Sequence, residues 1–245
     1  MAEADRLNDP EMVALLARRP VALLPLGAVE SHGAHLPAGT DNMLALRLAE
    51  RLERAVPDLP VLRLPLMPFG QVWSLEHAPG SVGISGATLV AVLTDIGRAL
   101  QQKGVAGLAV VNAHLGNAPY LREAQRALID DGFPVAAFFY PGAEPEIARL
   151  RQRPQAHPAY MHACEIETSY MLHLAPDAVR MDAAVANYPD FPADFAVRPR
   201  RWTEFSDSPV LGDPTAATAE KGEAILTAVI EEMAAQIRRL HADAT

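Results

Sequence analysis

Short apolar runs along the chain alternate with segments in which apolar residues recur at helical spacing. The runs have the length of buried strands and cover residues 21–26 (VALLPL), 61–67, 107–111 (GLAVV) and 134–140 (PVAAFFY). The segments between them predict helices over 86–103, 118–131, 166–174 and 217–240, and one that begins near Asp41 with Thr40 as its N-cap. This alternation predicts an α/β fold with a mostly parallel central sheet that is covered on both faces.

No internal repeat or clear linker divides the sequence, so we predict one domain over residues 1–245. Many of the 21 prolines lie in residues 141–214, which predicts ordered loops there. The apolar runs are far shorter than a membrane-spanning helix requires. The first ten residues carry acids and no apolar core, which is not typical of a secretory signal peptide.

Charge and cysteine content narrow the class of protein. The 21 Lys and Arg residues against 30 Asp and Glu give a net charge of −9, which disfavours binding to nucleic acid. Cys164 is the single cysteine, so it allows no intrachain disulfide and no cysteine-rich zinc site. We therefore expect a cytoplasmic protein without nucleic-acid or membrane partners.

The segment that follows the first apolar run concentrates chemically active side chains. Glu30, His32, His35 and Asp41 lie within twelve residues, and carboxylate with imidazole suits Zn²⁺, Mn²⁺ or Fe²⁺. Glu30 and His32 point the same way in an extended segment. A helix start favours an ionised Asp41, which is able to bridge two cations. The alternative is a polar loop with local hydrogen bonds, but four candidate ligands beside a buried strand favour a metal site.

Two further segments carry histidines. His114 directly follows the GLAVV run, which places it on the same rim as the first cluster if the two strands are neighbours. His162 and Glu167 flank a predicted helix start, where His162 suits a general acid or base and Glu167 suits a ligand or a residue that orients one. Cys164 between them is poorly placed for a Cys–His pair and is predicted to be a small buried residue.

We also expect His35 and the loop residues Trp73, Glu76 and His77 to contact the substrate. Trp202 suits either a substrate cover or a packing role, and the sequence leaves both open.

Three blocks resemble the creatininase family over about residues 20–225. They are Glu-x-His-Gly-x-His-Leu-Pro-x-x-Thr-Asp at 30–41, Asn-x-His-x-x-Asn at 112–117 and His-Ala-x-x-x-Glu-Thr-Ser at 162–169. The resemblance implies a three-layer α/β/α fold, hexamers and a two-metal site. It also implies that Glu30 and His114 bind one metal, that His32 binds the other, and that Asp41 bridges both.

The chain departs from the family pattern at one position. Creatinine amidohydrolases carry a glutamate two residues after the histidine of the second block, where this chain has Gly116. The second metal therefore lacks one ligand, which Glu167 or water would supply, and a single bound metal is the alternative.

The resemblance implies hydrolysis of a non-peptide C–N bond by metal-activated hydroxide. The expected partner is a small polar molecule, a cyclic amide or a formamide. His162 and Glu167 are the expected catalytic residues, and His162 would protonate the leaving nitrogen. Creatinine amidohydrolases stack their substrate between tryptophans in the region before the third block. Residues 133–162 of this chain contain no Trp, so the comparison disfavours creatinine as the substrate. The alternatives are a mycofactocin-type peptidase, a hydrolase of a cyclic polyol ketone and a non-catalytic metal-binding relative.

Overall fold

The computed structural model describes residues 3–244, in which helices and strands alternate. The strands are β1 (Val21–Leu26), β2 (Val61–Arg63), β3 (Gly107–Asn112) and β4 (Val135–Phe138). The α-helices are α1 (Asp9–Leu16), α2 (Thr40–Ala55), α3 (Gly86–Gln102), α4 (Ala118–Asp130), α5 (Glu144–Leu150), α6 (Glu165–Leu174) and α7 (Ala219–Ala244). The predicted domain includes residues 1, 2 and 245, which lie outside the described range. Residues 1 and 2 also belong to the ten-residue N-terminal segment that was compared with a signal peptide above.

The four strands form one parallel sheet in the order β2-β1-β3-β4. Val21 lies opposite Val61 on one side and Gly107 on the other, and Leu108 lies opposite Val135. β1 and β3 occupy the centre of the sheet, and every residue in them is buried. The loops that follow these two strands therefore leave the same edge of the sheet side by side.

Alternate residues of β1 pack into two separate cores, because successive side chains of a strand point to opposite faces. Val21 and Leu23 join the core that includes residues of α2, α6 and α7, whereas Ala22 and Leu24 join the core that includes residues of α3 and α4. The predicted three-layer α/β/α arrangement with a parallel sheet is confirmed.

The strand predicted over 61–67 is wrong in its second half, because regular pairing ends at Arg63. Pro65 has no N–H to donate. The chain still follows β1 loosely, with the N–H of Leu64 donating to Leu23 O (2.8 Å) and the N–H of Met67 donating to Pro25 O (2.9 Å).

The predicted N-cap of α2 is also wrong. Thr40 is the first helical residue, and its hydroxyl donates to the carbonyl of Pro37 at 2.7 Å. Gly39 takes the N-cap position without a side-chain bond. The Thr40 hydroxyl thus closes the turn before the helix.

Two helices were not predicted. α5 lies inside the segment expected to be loop. α1 has no fully buried residue, so its apolar pattern is weak, although Asn8 and Glu11 form a capping box around Pro10. None of the helices between residues 3 and 244 combines the length and the hydrophobicity that crossing a bilayer takes.

Candidate metal centre

Segments that are far apart in sequence meet beyond the carboxyl ends of β1 and β3. The loop after β1, the first turn of α2, the loop after β3 and the start of α6 each contribute side chains to this place. The contributed acidic and imidazole side chains are only 0–7% exposed: Glu30, His32, Asp41, His114, His162 and Glu167.

Two asparagines of the second block shape the loop that carries His114. Asn112 donates from Nδ2 to His114 O (2.7 Å), and its Oδ1 accepts from His114 N (3.2 Å). Asn117 donates to Gly27 O (3.1 Å) and accepts from Gln71 N (2.9 Å), which ties the loops after β1 and β3 together. Both asparagines belong to the Asn-x-His-x-x-Asn motif, but the sequence pattern alone predicts no role for them.

The first group of candidate ligands is Glu30, Asp41 and His114. Nδ1 of His114 lies 3.0 Å from Oε1 of Glu30 and 3.2 Å from Oδ2 of Asp41. One ligand atom of each residue lies within 4.8 Å of the other two, which is the spacing of a set that could hold one cation.

The second group is His32, Asp41 and Glu167. Nε2 of His32 lies 3.5 Å from Oδ1 of Asp41 and 3.7 Å from Oε2 of Glu167. The N–H of Ala163 donates to the same Glu167 oxygen at 2.5 Å, which fixes the carboxylate. Asp41 therefore lies between two groups, with one oxygen near each.

Each of the three imidazoles donates one ring N–H to a backbone carbonyl. That bond fixes the orientation of each ring and turns the other ring nitrogen toward the carboxylates, where it is an acceptor for a metal once it is deprotonated. The bonds are His32 Nδ1–H to Glu30 O (3.1 Å), His114 Nε2–H to Gln71 O (2.7 Å) and His162 Nε2–H to Ser31 O (2.8 Å).

Charge within the cluster outweighs the effect of burial for several groups. Burial disfavours the imidazolium of His32, yet Asp41 and Glu167 raise its pKa to about 10. Burial acts to raise the pKa of Asp41, but His32 and His114 hold it well below its usual value. Burial also acts to raise the pKa of Glu30, but His114 lowers it below its usual value. For Glu167 the effect of burial prevails, and its pKa is raised.

Two buried ligand atoms without hydrogen bonds show that the cluster fits a divalent cation. Nε2 of His32 and Oδ2 of Asp41 are buried, and neither has a hydrogen-bond partner among residues 3–244. Buried polar atoms without hydrogen bonds are unfavourable, and a cation would satisfy both. His162 forms a third group with Glu30 and His32, with its Nδ1 3.5 Å from Oε1 of Glu30.

A cavity of about 790 Å³ opens onto the cluster. Glu30, Asp41, His114, His162 and Glu167 form part of its wall. Aromatic side chains form much of the remainder: Trp73, Tyr120, Phe139, Tyr160 and Trp202. Trp202 contacts the ring of His162 edge-on, with 5.5 Å between ring centroids, so it both packs against the site and lines the cavity.

Of the side chains predicted to contact the substrate, Trp73 lines this cavity and three others do not. His35 is 1% exposed and is hydrogen-bonded to Thr168 Oγ1 at 3.0 Å, behind the cluster. Glu76 accepts from Nε of Arg201 at 2.7 Å, and the neighbouring His77 points to solvent with its side chain 62% exposed. His35, Glu76 and His77 thus lie outside the lining of this cavity, and their contact with a substrate stays a prediction.

Glu76 instead supports the cavity wall indirectly. The guanidinium of Arg201, which Glu76 binds, lies over the ring of Trp73 at 4.8 Å from its centroid. Neighbours in sequence therefore take different roles, because Trp73 lines the cavity and Glu76 does not.

Cys164 is a free, buried cysteine outside the lining of this cavity. Burial raises the pKa of its thiol to about 11, so the thiol stays protonated near neutral pH. This agrees with a packing role.

Gly116 has a steric reason in this chain. A Cβ at residue 116 would overlap the imidazole of His114 and the carbonyl of Gln71, the two groups that are hydrogen-bonded to each other. A glutamate there would have to displace this pair. Glu167 belongs to the second group of candidate ligands, beside His32 and Asp41.

Comparison with known proteins agrees with this geometry. The family model for creatinine amidohydrolase matches residues 5–237. The mycofactocin precursor peptide peptidase of Mycolicibacterium smegmatis is 32% identical over 229 residues, which cover 91% of this chain and 87% of that protein. The creatinine amidohydrolase of Pseudomonas putida is 32% identical over 240 residues, with 89% and 88% covered.

Solved structures give the same answer. "Creatininase Mn" superposes with a TM-score of 0.81 at 28% identity, covering 97% of this chain and 98% of the other. A mutant creatininase of "Zn-Zn type" superposes with a TM-score of 0.80 at 28% identity, with 97% of each chain covered. The chain belongs to the creatininase family of hydrolases, and the Mn and Zn forms of its structural neighbours imply a divalent metal as its cofactor.

Proposed function

We propose that this protein hydrolyses a C–N bond with a pair of divalent cations, Zn²⁺, Mn²⁺ or Fe²⁺. Glu30 and His114 would hold one cation, His32 and Glu167 the other, and Asp41 both. The observation that carries the proposal is the position of Asp41 between two groups, with buried ligand atoms of Asp41 and His32 that have no hydrogen bond within residues 3–244.

The residues around the cations would balance their charge and orient the histidine ligands. When bound, a divalent cation lowers the pKa of water from 15.7 to about 7 and polarises a carbonyl oxygen. The three carboxylates balance most of that charge, and the backbone carbonyls that bind the histidines keep the acceptor nitrogens facing inward.

His162 is the proposed general acid. Its Nε2–H is held by Ser31 O, so Nδ1 is the atom that faces Glu30 and the cavity. Nδ1 would carry the proton that passes to the leaving nitrogen as the C–N bond breaks. The packed ring of Trp202 keeps the imidazole in this orientation.

The proposed substrate is a non-peptide amide, either cyclic or a formamide. A second candidate is a peptide. It is supported by the relatives named mycofactocin precursor peptide peptidase and by the cavity volume of about 790 Å³, which is large enough for a drug-sized ligand.

Metal content tests the proposal directly. Protein purified without chelators should contain about two equivalents of Zn, Mn or Fe by plasma mass spectrometry. Asp41→Ala should lose both metals and all hydrolysis of a panel of lactams, formamides and peptides. Asp95→Ala, at an exposed position of α3, is the control and should keep its two metals and its activity. Full metal content in a folded Asp41→Ala protein would refute the shared ligand, and one equivalent in the wild type would refute the pair.

A further inference from the structure

The charges that line the cavity are unevenly distributed. Glu30, Asp41 and Glu167 lie at the cluster, and Arg122 is the one Lys or Arg among the lining residues that the structure describes. Arg122 lies on α4, the helix that follows the His114 loop. The cavity therefore has a metal-binding end and a separate cationic group on its wall.

The guanidinium of Arg122 is free to bind a ligand. Arg122 is exposed and has no ion pair or hydrogen bond within the described part of the chain. Other arginines of this acidic chain are occupied: Arg98 pairs with Asp131 at 2.8 Å, and Arg201 pairs with Glu76 beside the same cavity. A cavity arginine without a protein partner is available for an anion.

The proposed metal pair strengthens this preference. Two divalent cations outweigh the three carboxylates by one positive charge, because the imidazole ligands are neutral when they bind metal. The low-dielectric aromatic walls screen charge poorly, so the loaded cavity attracts anions although the chain as a whole carries −9.

We infer that Arg122 binds a carboxylate of the substrate, away from the C–N bond that is cleaved. The inference rests on the proposed function and names its substrate class: an amide that carries a carboxylate. A planar guanidinium matches a carboxylate with two parallel hydrogen bonds. A doubly charged phosphate is less well matched, because the lining offers no second Lys or Arg in the described residues.

The same carboxylate has two possible sources, a small acylated amino acid or the C-terminus of a peptide. Both are tested as matched pairs of acid and carboxamide: N-formyl-phenylalanine against N-formyl-phenylalaninamide, and acetyl-Gly-Phe against its C-terminal amide. The aromatic side chain suits the walls formed by Tyr120 and Phe139. The pair with the larger acid preference identifies the source.

Affinities are measured by calorimetry on Mn-loaded wild type, Arg122→Ala, Arg122→Lys and Arg126→Ala. Arg126 lies one turn further along α4, is exposed and does not line the cavity, so it is the matched control. The wild type should bind at least one acid about 10–100-fold more tightly than its carboxamide. Arg122→Ala should reduce that ratio to nearly one, Arg122→Lys should retain part of it, and Arg126→Ala should leave it unchanged.

Three results would overturn the inference: no acid preference in the wild type, the same preference in Arg122→Ala, or no binding of any of the four compounds at millimolar concentration. An unchanged preference would mean that the cations alone bind the carboxylate. The metal content of the same samples distinguishes a failure of the proposed function from a failure of the inference about Arg122. A protein that takes up no metal contradicts the proposed function, whereas a metal-loaded protein that fails these tests contradicts the role of Arg122 alone.

Discussion

At the scale of single residues, the candidate centre depends on the hydrogen bonds that face away from it. His32, His114 and His162 each give one N–H to a carbonyl of the loops, so their free nitrogens converge on the carboxylates. This arrangement separates two kinds of residue. Ligands determine how much metal is bound, whereas a proton donor affects the rate without affecting the metal content.

His162 belongs to the second kind. His162→Ala should keep its metals and lose about 10²–10⁴-fold in kcat, the usual range for a general acid. His157→Ala, in the loop before α6, provides a histidine control outside the cavity lining. The measurements are metal content by mass spectrometry and turnover of the best substrate in the panel. Loss of metal in the His162 variant would make this residue a ligand instead.

Gly116 tests the packing around a ligand. Gly116→Ala should push the ring of His114 away from Gln71 O and weaken metal binding by about 10–100-fold, the range for disturbed partners of a metal ligand. Gly39→Ala is the control, because a Cβ there meets no atom within 4 Å. Competition with a fluorescent chelator measures the affinity. Equal affinities in the two variants would show that His114 tolerates the displacement.

At the scale of elements, a buried ion pair holds the start of α6 in place. The carboxylate of Glu165 accepts from Nζ of Lys221 (2.6 Å) and from the N–H of Gln152 and of Arg153 (3.0 and 2.8 Å). Lys221 also donates to Ala216 O at 2.6 Å. One pair thus joins α6, the loop after α5 and the first turn of α7, two residues away from the proposed ligand Glu167.

Removing the cation of this pair should be costly. Lys221→Met leaves the buried Glu165 carboxylate without its counter-ion and should lower the free energy of unfolding by about 3–5 kcal/mol. Lys103→Met, at the exposed end of α3, is the matched control and should change it by less than about 0.5 kcal/mol. Urea unfolding measures both. A similar, small change in the two variants would show that water or the backbone donors satisfy Glu165.

The sequence predicts the elements well where apolar spacing alone decides them. β1, β3, α3 and α4 lie within a residue or so of their predicted bounds. The sequence also predicts that the first two histidine blocks share one rim if their strands are neighbours, and β1 and β3 do pair. The third block begins a helix, and its position beside the other two depends on tertiary packing. Local spacing does not predict where the loop side chains point, because their orientations depend on partners that are distant in sequence. Glu76, for example, binds Arg201, which is 125 residues away.

At the scale of the whole molecule, stability, acidity and metal binding are linked. In the folded protein without a bound cation, carboxylates raise the pKa of His32 to about 10, against about 6.5 in an unfolded chain. The folded form therefore holds a proton that the unfolded form loses as the pH rises above 6.5. The stability that this proton contributes is complete below pH 6.5 and disappears as the pH approaches 10.

A bound cation reverses this dependence, because the metal replaces the proton on His32 and protons then compete with metal. Between pH 6.5 and 9, the chelated protein should lose stability with rising pH, by up to about 1.4 kcal/mol per pH unit for one proton. The Mn-loaded protein should gain relative to it over the same interval, since metal binding adds stability in proportion to the logarithm of affinity. Urea unfolding with EDTA or with Mn²⁺ at several pH values measures the difference. The difference in the free energy of unfolding between the Mn-loaded and the chelated protein should therefore grow with pH. A difference that stays constant would show that His32 carries no proton in the chelated protein, and would contradict the exchange of that proton for a metal ion.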